Sequence, residues 1–133
     1  MRNIIIKAII IISFLMISSP APDYHLNLVL IVLFFYQLIH DIFSPPESIG
    51  FFWYGLITIP IIVSLVYIAV GKGYGKRFLL LFSIIVLIII QLMLDRDLNQ
   101  LLAFSGFIIP FLIFILSSAY LIYTCFSKKE KTQ

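Results

Sequence analysis

The chain has 133 residues and a formal net charge of +3; 62% of its residues are hydrophobic, 16% are aromatic and 11% are charged. About a quarter of the residues of a soluble domain are charged. With so few charged residues, a soluble domain of this size could not cover so much apolar surface. One cysteine and six glycines also exclude a disulfide scaffold and a collagen-like chain. We therefore predict an all-α integral membrane protein in which residues 1–133 form a single membrane-embedded helical domain.

The predicted helices are the apolar runs that are long enough to cross a bilayer, since a spanning helix needs about 20 apolar residues. The sequence predicts a bundle of five hydrophobic helices and a basic C-terminal tail over 127–133, with the helices at about 4–19, 26–43, 51–70, 78–94 and 101–126. Charged residues, proline or glycine separate the last four runs, and each of these four is predicted to span.

The N-terminal run has three interpretations. It is a short span whose Lys7 reaches the interface, a cleaved signal peptide with Arg2 and Lys7 as its basic region, or a re-entrant segment. We favour a span because no face of residues 4–17 is polar enough to lie flat in the interface.

The distribution of basic residues predicts the orientation. Two helices separate the loop 71–77 from the C-terminal tail, so these basic segments lie on one side, which the enrichment of Lys and Arg in cytoplasmic loops makes the inside. Five crossings put six basic residues inside and three outside, whereas a first run that does not cross gives eight against one. Charge thus favours a non-crossing first run and hydropathy a crossing one; we predict five crossings.

Two parts of the chain share a pattern that predicts a duplicated helical hairpin. The second and fourth helices end in Gln-x-x-x-Asp, at 37–41 and 91–95, and each precedes a helix with a proline near its middle, Pro60 or Pro110. Parallel repeats of this kind occur in transporters. The alternative is chance similarity in a chain rich in Ile, Leu and Phe.

The same helix ends carry a candidate polar cluster of Gln37, His40, Asp41, Gln91 and Asp95. The first three lie at positions i, i+3 and i+4 and share one helix face. Polar residues at membrane depth usually face protein or a water-filled cavity, so one interpretation is a polar vestibule. We favour the other, in which these groups cap helix ends and hold helices together in the headgroup region.

Pro60 and Pro110 each remove one helical hydrogen bond and free the carbonyl four residues earlier, at Leu56 and Gly106. They are hinges, or they line a cavity, or they are static kinks; the last interpretation is favoured because membrane helices tolerate proline. Small residues in the last helix predict that a neighbouring helix approaches it closely: Ala103, Gly106, Ser117, Ser118 and Ala119.

The sequence contains no pattern for a metal, a nucleotide or another cofactor. Cys125 is the single cysteine, the two histidines form no ligand cluster, and the glycines at 71, 73 and 75 lack the strand–turn–helix context of a phosphate-binding loop. We predict no catalytic residue, metal or cofactor. Since the basic residues lie where a bilayer favours them, we also predict no nucleic-acid partner.

These features predict a multi-pass protein of unassigned activity that acts through helix contacts in the bilayer, as a non-enzymatic accessory or interaction subunit. Its expected partners are the lipid bilayer and another membrane protein or itself. The alternative is a small oligomeric transporter or channel whose path is lined by Gln37, Gln91, Thr58 and the kinks at Pro60 and Pro110. An excess of 27 isoleucines over five alanines is typical of an AT-rich bacterial genome, which favours a bacterial inner membrane, with the C-terminus cytoplasmic.

Overall fold

The computed structural model describes residues 2–18, 26–44, 53–71, 77–94 and 98–127. These residues form an all-α fold of five long helices and one short one: α1 Arg2–Met16, α2 Asn27–Phe43, α3 Thr58–Val70, α4 Arg77–Leu94, the short α5 Leu98–Ala103, and α6 Ser105–Ser127. A 3-10 helix, Trp53–Ile57, leads directly into α3. The prediction of an all-α, five-helix protein is confirmed.

The helix ends differ from the predicted ones at several places. The third helix, predicted over 51–70, is an α-helix only from Thr58, after the 3-10 helix, and local hydrogen bonds decide two other ends. The first helix ends at Met16 instead of 19, because the carbonyl of Ile17 turns away to accept the backbone N–H of Asn27 at 2.9 Å. The last run, predicted as one helix over 101–126, is divided at Phe104, whose carbonyl accepts two N–H groups at the beginning of α6.

Helix length distinguishes α6 from the others. Within the described residues it is the one helix whose 23 residues are long and apolar enough to cross a membrane, and α1, α2, residues 55–70 and α4 are shorter apolar helices. Length alone thus supports one crossing helix instead of the predicted five.

Contacts between α1 and α6 show that these two helices pack closely and run antiparallel. The rings of Phe14 and Phe114 lie 5.5 Å apart between centroids, and Ser18 meets Gly106 near the beginning of α6. Of the small residues that predicted a close approach to the last helix, Gly106 makes one, with Ser18 directly after α1, whereas Ala103 and Ala119 are exposed.

The other pairs complete an antiparallel four-helix arrangement of α1, α3, α4 and α6. Lys7, early in α1, reaches the carbonyl of Gly71 at the end of α3. The rings of Phe78, at the beginning of α4, and Phe126, near the end of α6, lie 5.7 Å apart. Each of these four helices contributes to one apolar core, formed by Ile10, Phe14, Ile17, Ile61, Ile68, Leu80, Ile84, Leu87, Phe107, Phe114 and Leu121.

The buried residues form one narrow seam on each helix. On α4 the seam is Leu80, Ile84, Leu87 and Gln91, which repeats at the three- and four-residue spacing of one helix face. The remaining faces are also apolar but are exposed, with side chains such as Phe82 on α4 open. Helix packing therefore uses only a small part of the available apolar surface.

Helix α2 stands outside this four-helix core. It packs through Leu38 and Phe34 against Gly55 in the 3-10 helix, and through its first residue, Asn27, against the end of α1. Most of its other side chains are exposed.

The two hairpins of the predicted duplication are built differently. Pro60 is the third residue of α3, directly after the 3-10 helix, whereas Pro110 is the sixth residue of an α-helix that is regular through it. Helices α4 and α6 both belong to the four-helix core, but α2 does not. This difference argues against a duplication. Pro60 lies near the middle of the helical segment 53–70, as predicted, whereas Pro110 lies near the beginning of α6.

Candidate functional site

A pair of buried amide side chains joins α2 to α4. The Asn27 amide donates to Gln91 Oε1 at 2.5 Å and to the backbone carbonyl of Phe14 at 3.0 Å. Both amide side chains are almost fully buried. Phe14 lies in the last turn of α1, whose carbonyls have no partner within the helix, and its carbonyl accepts the Asn27 amide as well as the backbone N–H of Ile17 at 3.3 Å. Buried amide groups without hydrogen bonds would be costly in surroundings of low dielectric. These bonds therefore fix where α1 ends and α2 begins.

A second polar contact, next to the first, joins α1 to α6 through the carbonyl that Pro110 leaves free. This carbonyl belongs to Gly106, four residues before the proline, and it accepts the backbone N–H of Ser18 at 3.3 Å and the Ser18 hydroxyl at 3.1 Å. A Cβ on Gly106 would lie 2.6 Å from that hydroxyl and 2.8 Å from the ring of Phe104. A side chain at Gly106 would therefore force the Ser18 hydroxyl or the Phe104 ring to shift.

Together these contacts form a polar clamp, which we define as Ser18, Asn27, Gln91 and the carbonyl of Gly106. It ties α1, α2, α4 and α6 at one end of the bundle. None of its groups ionises near neutral pH, so it offers neither an acid nor a base. Its chemistry is that of helix-to-helix attachment, in which polar groups bond across helices within apolar surroundings.

The structure divides the predicted polar cluster. Gln37 donates to Asp41 Oδ1 at 2.8 Å, and His40 Nδ1 lies 3.6 Å from the same oxygen, so these three side chains do meet on α2. Asp41 is buried, whereas the His40 side chain is 54% exposed. Gln91 instead bonds to Asn27, ten residues and about 15 Å along α2 from Gln37.

Asp95, the remaining member of the predicted cluster, lies outside the described residues, as does the tail beyond Ser127. Within the described residues, Gln37 and Gln91 thus belong to separate contacts.

The two prolines also have different surroundings. Pro60 lies in the first turn of α3, where proline is well tolerated, and the nearby Thr58 hydroxyl donates to the carbonyl of Gly55 at 2.6 Å. At Pro110 the freed carbonyl of Gly106 is held by another helix. Among the path residues of the transporter alternative, Thr58 and Gln91 are thus bonded internally.

An apolar cavity lies beside the polar clamp, between α1, α2 and the beginning of α3. Its lining is almost wholly hydrocarbon, with Asn27 and Thr58 as the polar members: Phe14, Asn27, Leu30, Ile31, Phe34, Ile57, Thr58 and Ile61. Such a lining lacks the convergent polar groups of a small-molecule site.

At the opposite end of the bundle, charged side chains stabilise helix ends. The Lys7 ammonium donates to the carbonyl of Gly71 at 2.5 Å, where the partial negative charge of the α3 C-terminus favours a cation. The Arg77 guanidinium lies 5.1 Å from the ring centre of Phe78 and 4.9 Å from that of Phe126, within the range of cation–π attraction. Sequence reasoning expected Lys7 to reach the interface; its protein partner was not foreseen.

Two members of the polar clamp, Ser18 and Asn27, were not among the predicted site residues. The signal that could have found Asn27 is its position as an amide at the edge of a long apolar run, a feature that it shares with Gln91. Within the described residues no group of three His, Cys, Asp or Glu could hold a metal ion. No family model, no curated protein and no solved structure matches the chain.

Proposed function

We propose that this protein is a multi-pass integral membrane protein that acts through helix contacts, as a non-enzymatic accessory or interaction subunit. The observation that carries the proposal is the exposure of apolar side chains around every long helix. Only 22% of the most apolar part of α6 is buried, whereas the core helix of a soluble protein is mostly buried.

The energetic consequence favours lipid as the surroundings. Leu116 on α6 is 69% exposed, Val63 on α3 is 61% exposed, and Phe82 on α4 is 63% exposed. Moving one such side chain from water into an apolar environment is worth about 1.5–3 kcal/mol, so a bilayer would stabilise the whole array of exposed side chains where water would not. The narrow seams between helices suit the same environment, because lipid leaves no hydrophobic force to drive broader burial.

Helix lengths are consistent with several crossings once the 3-10 segment is included. Five residues of 3-10 helix at about 2.0 Å and thirteen of α-helix at about 1.5 Å give α3 a reach of about 30 Å. The 18 residues of α4 reach about 27 Å and the 23 of α6 about 35 Å. These lengths lie close to the hydrocarbon thickness of about 30 Å.

An interaction role is favoured over catalysis or transport because buried polar side chains such as Asn27, Gln91 and Thr58 already bond within the protein. In the polar clamp Asn27 donates to Gln91, and Ser18 donates to the carbonyl of Gly106; the neighbouring cavity is apolar. A solute path needs polar groups that are free to receive a solute or ion, and Thr58 and Gln91 are already bonded. We place the protein in a bacterial inner membrane, with its C-terminus cytoplasmic.

Two measurements test this proposal. Membranes that contain the full chain are washed with alkaline carbonate, and the protein is then crosslinked, extracted in mild detergent and weighed as an intact complex. We expect it to stay in the washed membrane and to carry a second, different membrane protein. Recovery in plain buffer would overturn the membrane assignment. A ring of identical chains that conducts solute in liposomes would replace the interaction role with transport.

A further inference from the structure

The bundle has two chemically different ends. The basic end is where α1 and α4 begin and α3 and α6 end, as the contacts of Lys7 with Gly71 and of Phe78 with Phe126 show. The opposite end is where α1 and α4 end and α6 begins, and it holds the polar clamp; we call it the acidic end because Asp23, Asp95 and Asp97 follow α1 and α4 along the chain. Except for Arg96, every Lys and Arg belongs to one of three chain segments: the first turns of α1, residues 71–77 between α3 and α4, and the tail after α6. All three adjoin the basic end.

Helix α2 begins at the acidic end and the chain that follows it returns to the same end. Asn27 bonds to Gln91 there, and eleven residues later Leu38 packs against Gly55, so closely that a Cβ on this glycine would lie 2.9 Å from Leu38 Cβ. Gly55 is only three residues before Thr58, which shares a cavity with Asn27. A helix that crossed alongside α1 would carry Leu38 about 16 Å towards the basic end, far from Gly55.

The lengths of α2 and α4 exclude an arrangement in which α2 extends the bundle along the axis of the bundle. The 17 residues of α2 measure about 26 Å, and α4 already measures about 27 Å. Stacked end to end they would need far more than the roughly 30 Å of hydrocarbon that a bilayer offers. In a membrane, α2 must therefore lie across the acidic end at the level of one leaflet.

The exposed side chains of α2 indicate that lipid covers this helix. They are large and apolar and occur at all angles around the helix except the narrow face of Leu38 and Asp41: Leu28, Val29, Val32, Leu33, Phe35, Tyr36, Ile39, Ile42 and Phe43. A second copy of the chain would cover one stripe of a helix, whereas acyl chains cover its whole circumference. Gln37 and His40, which are exposed, give its last turns the polar character of the headgroup level.

We propose that α1, α3, α4 and α6 cross the bilayer and that α2 does not, lying instead in the outer leaflet with its exposed surface covered by acyl chains. This rests on the proposed membrane function. With four crossings both termini are inside, and Arg96 is left as the one Lys or Arg outside. The conflict between charge and hydropathy is thereby removed: the N-terminal run crosses, and the helix that does not cross is α2.

The first test determines the side of each terminus with a reporter that is active on one side only, fused to either end of the full chain in membranes that retain the protein after carbonate washing. We expect both termini on the cytoplasmic side. Termini on opposite sides would overturn the four-crossing topology while leaving the membrane function intact. Loss of the protein from washed membranes would overturn the proposed function first.

The second test measures the depth of α2, and it separates this topology from one in which α1 is the helix that does not cross. In a Trp53→Phe background, Phe35→Trp places a single tryptophan midway along α2, and Leu116→Trp places one midway along α6 as the matched control. The protein is reconstituted in vesicles of phosphatidylcholine brominated at a shallow or a deep acyl position. We expect shallow bromine to quench the fluorescence of the Phe35→Trp variant at least twofold more strongly than deep bromine, with the reverse order for the Leu116→Trp variant.

Equal depth profiles for the two variants would show that α2 crosses, which overturns the proposal. Absence of quenching in the Phe35→Trp variant from either lipid, with normal quenching in the Leu116→Trp variant, would show that protein covers α2 and would overturn the lipid assignment. The Leu116→Trp variant gives the depth of α6 in the same bundle for comparison.

Discussion

The bond between Asn27 and Gln91 gives the sharpest test of how this bundle is held together. Asn27→Leu keeps the approximate volume of the side chain but removes the donor that serves Gln91 Oε1 and the carbonyl of Phe14. Helix-to-helix hydrogen bonds in membrane proteins contribute about 0.6 kcal/mol on average and up to about 1.7, and a buried acceptor that loses its donor costs about 1–3 kcal/mol. We therefore expect Asn27→Leu to lower the free energy of unfolding by about 1–3 kcal/mol.

A double-mutant cycle isolates the pair. Gln91→Leu and the double variant are measured with Asn27→Leu by titrating the purified protein from mild detergent into SDS and following helix content by circular dichroism. If the two amides interact, the double variant loses about 0.6–1.7 kcal/mol less than the sum of the single losses. Asn99→Leu, at an exposed position of α5, is the matched control and should stay within about 0.5 kcal/mol of the parent. A coupling energy of zero, or an Asn27→Leu variant as stable as this control, would refute the reasoning.

Three further substitutions test other contacts by the same unfolding titration. Gly106→Ala should cost about 1–3 kcal/mol, since its Cβ would lie 2.6 Å from the Ser18 hydroxyl, and adding Ser18→Gly should recover part of the loss; no recovery would mean that the clash lies elsewhere. Ser118→Ala should leave stability unchanged or raise it by about 1 kcal/mol, because this buried hydroxyl finds no hydrogen-bond partner among the described residues; a clear loss would reveal a bond. Lys7→Met should cost about 1 kcal/mol and Lys7→Arg less, because the cation stabilises the end of α3 at Gly71; equal losses would assign the effect to packing.

Parts of the site were accessible from sequence because they are local. Gln37 and Asp41 are four residues apart, and helix geometry alone brings such side chains together. The carbonyl of Gly106 was identified as free because proline removes a defined donor. Its partner, Ser18, was not identified, since 88 residues separate the two and nothing in the local pattern specifies which helix comes near.

The partner of Gln91 was not identified for the same reason. Gln91 bonds to Asn27, at the other end of α2 from Gln37 and Asp41. A pattern shared by two segments reports their likeness in sequence; whether the segments pack alike depends on which helices surround each of them.

By itself the sequence determined the all-α class and the presence of five long helices, because a long apolar run that must satisfy its own backbone hydrogen bonds forms a helix whatever surrounds it. Tertiary structure decided that α1, α3, α4 and α6 share one core, that α2 stands outside it, and that Asn27 and Ser18 complete the polar clamp. An apolar side chain gains from leaving water in any direction, so hydrophobicity fixes that a helix is buried without fixing what buries it. Only the matching of seams and the pairing of a few polar groups between distant segments make that choice.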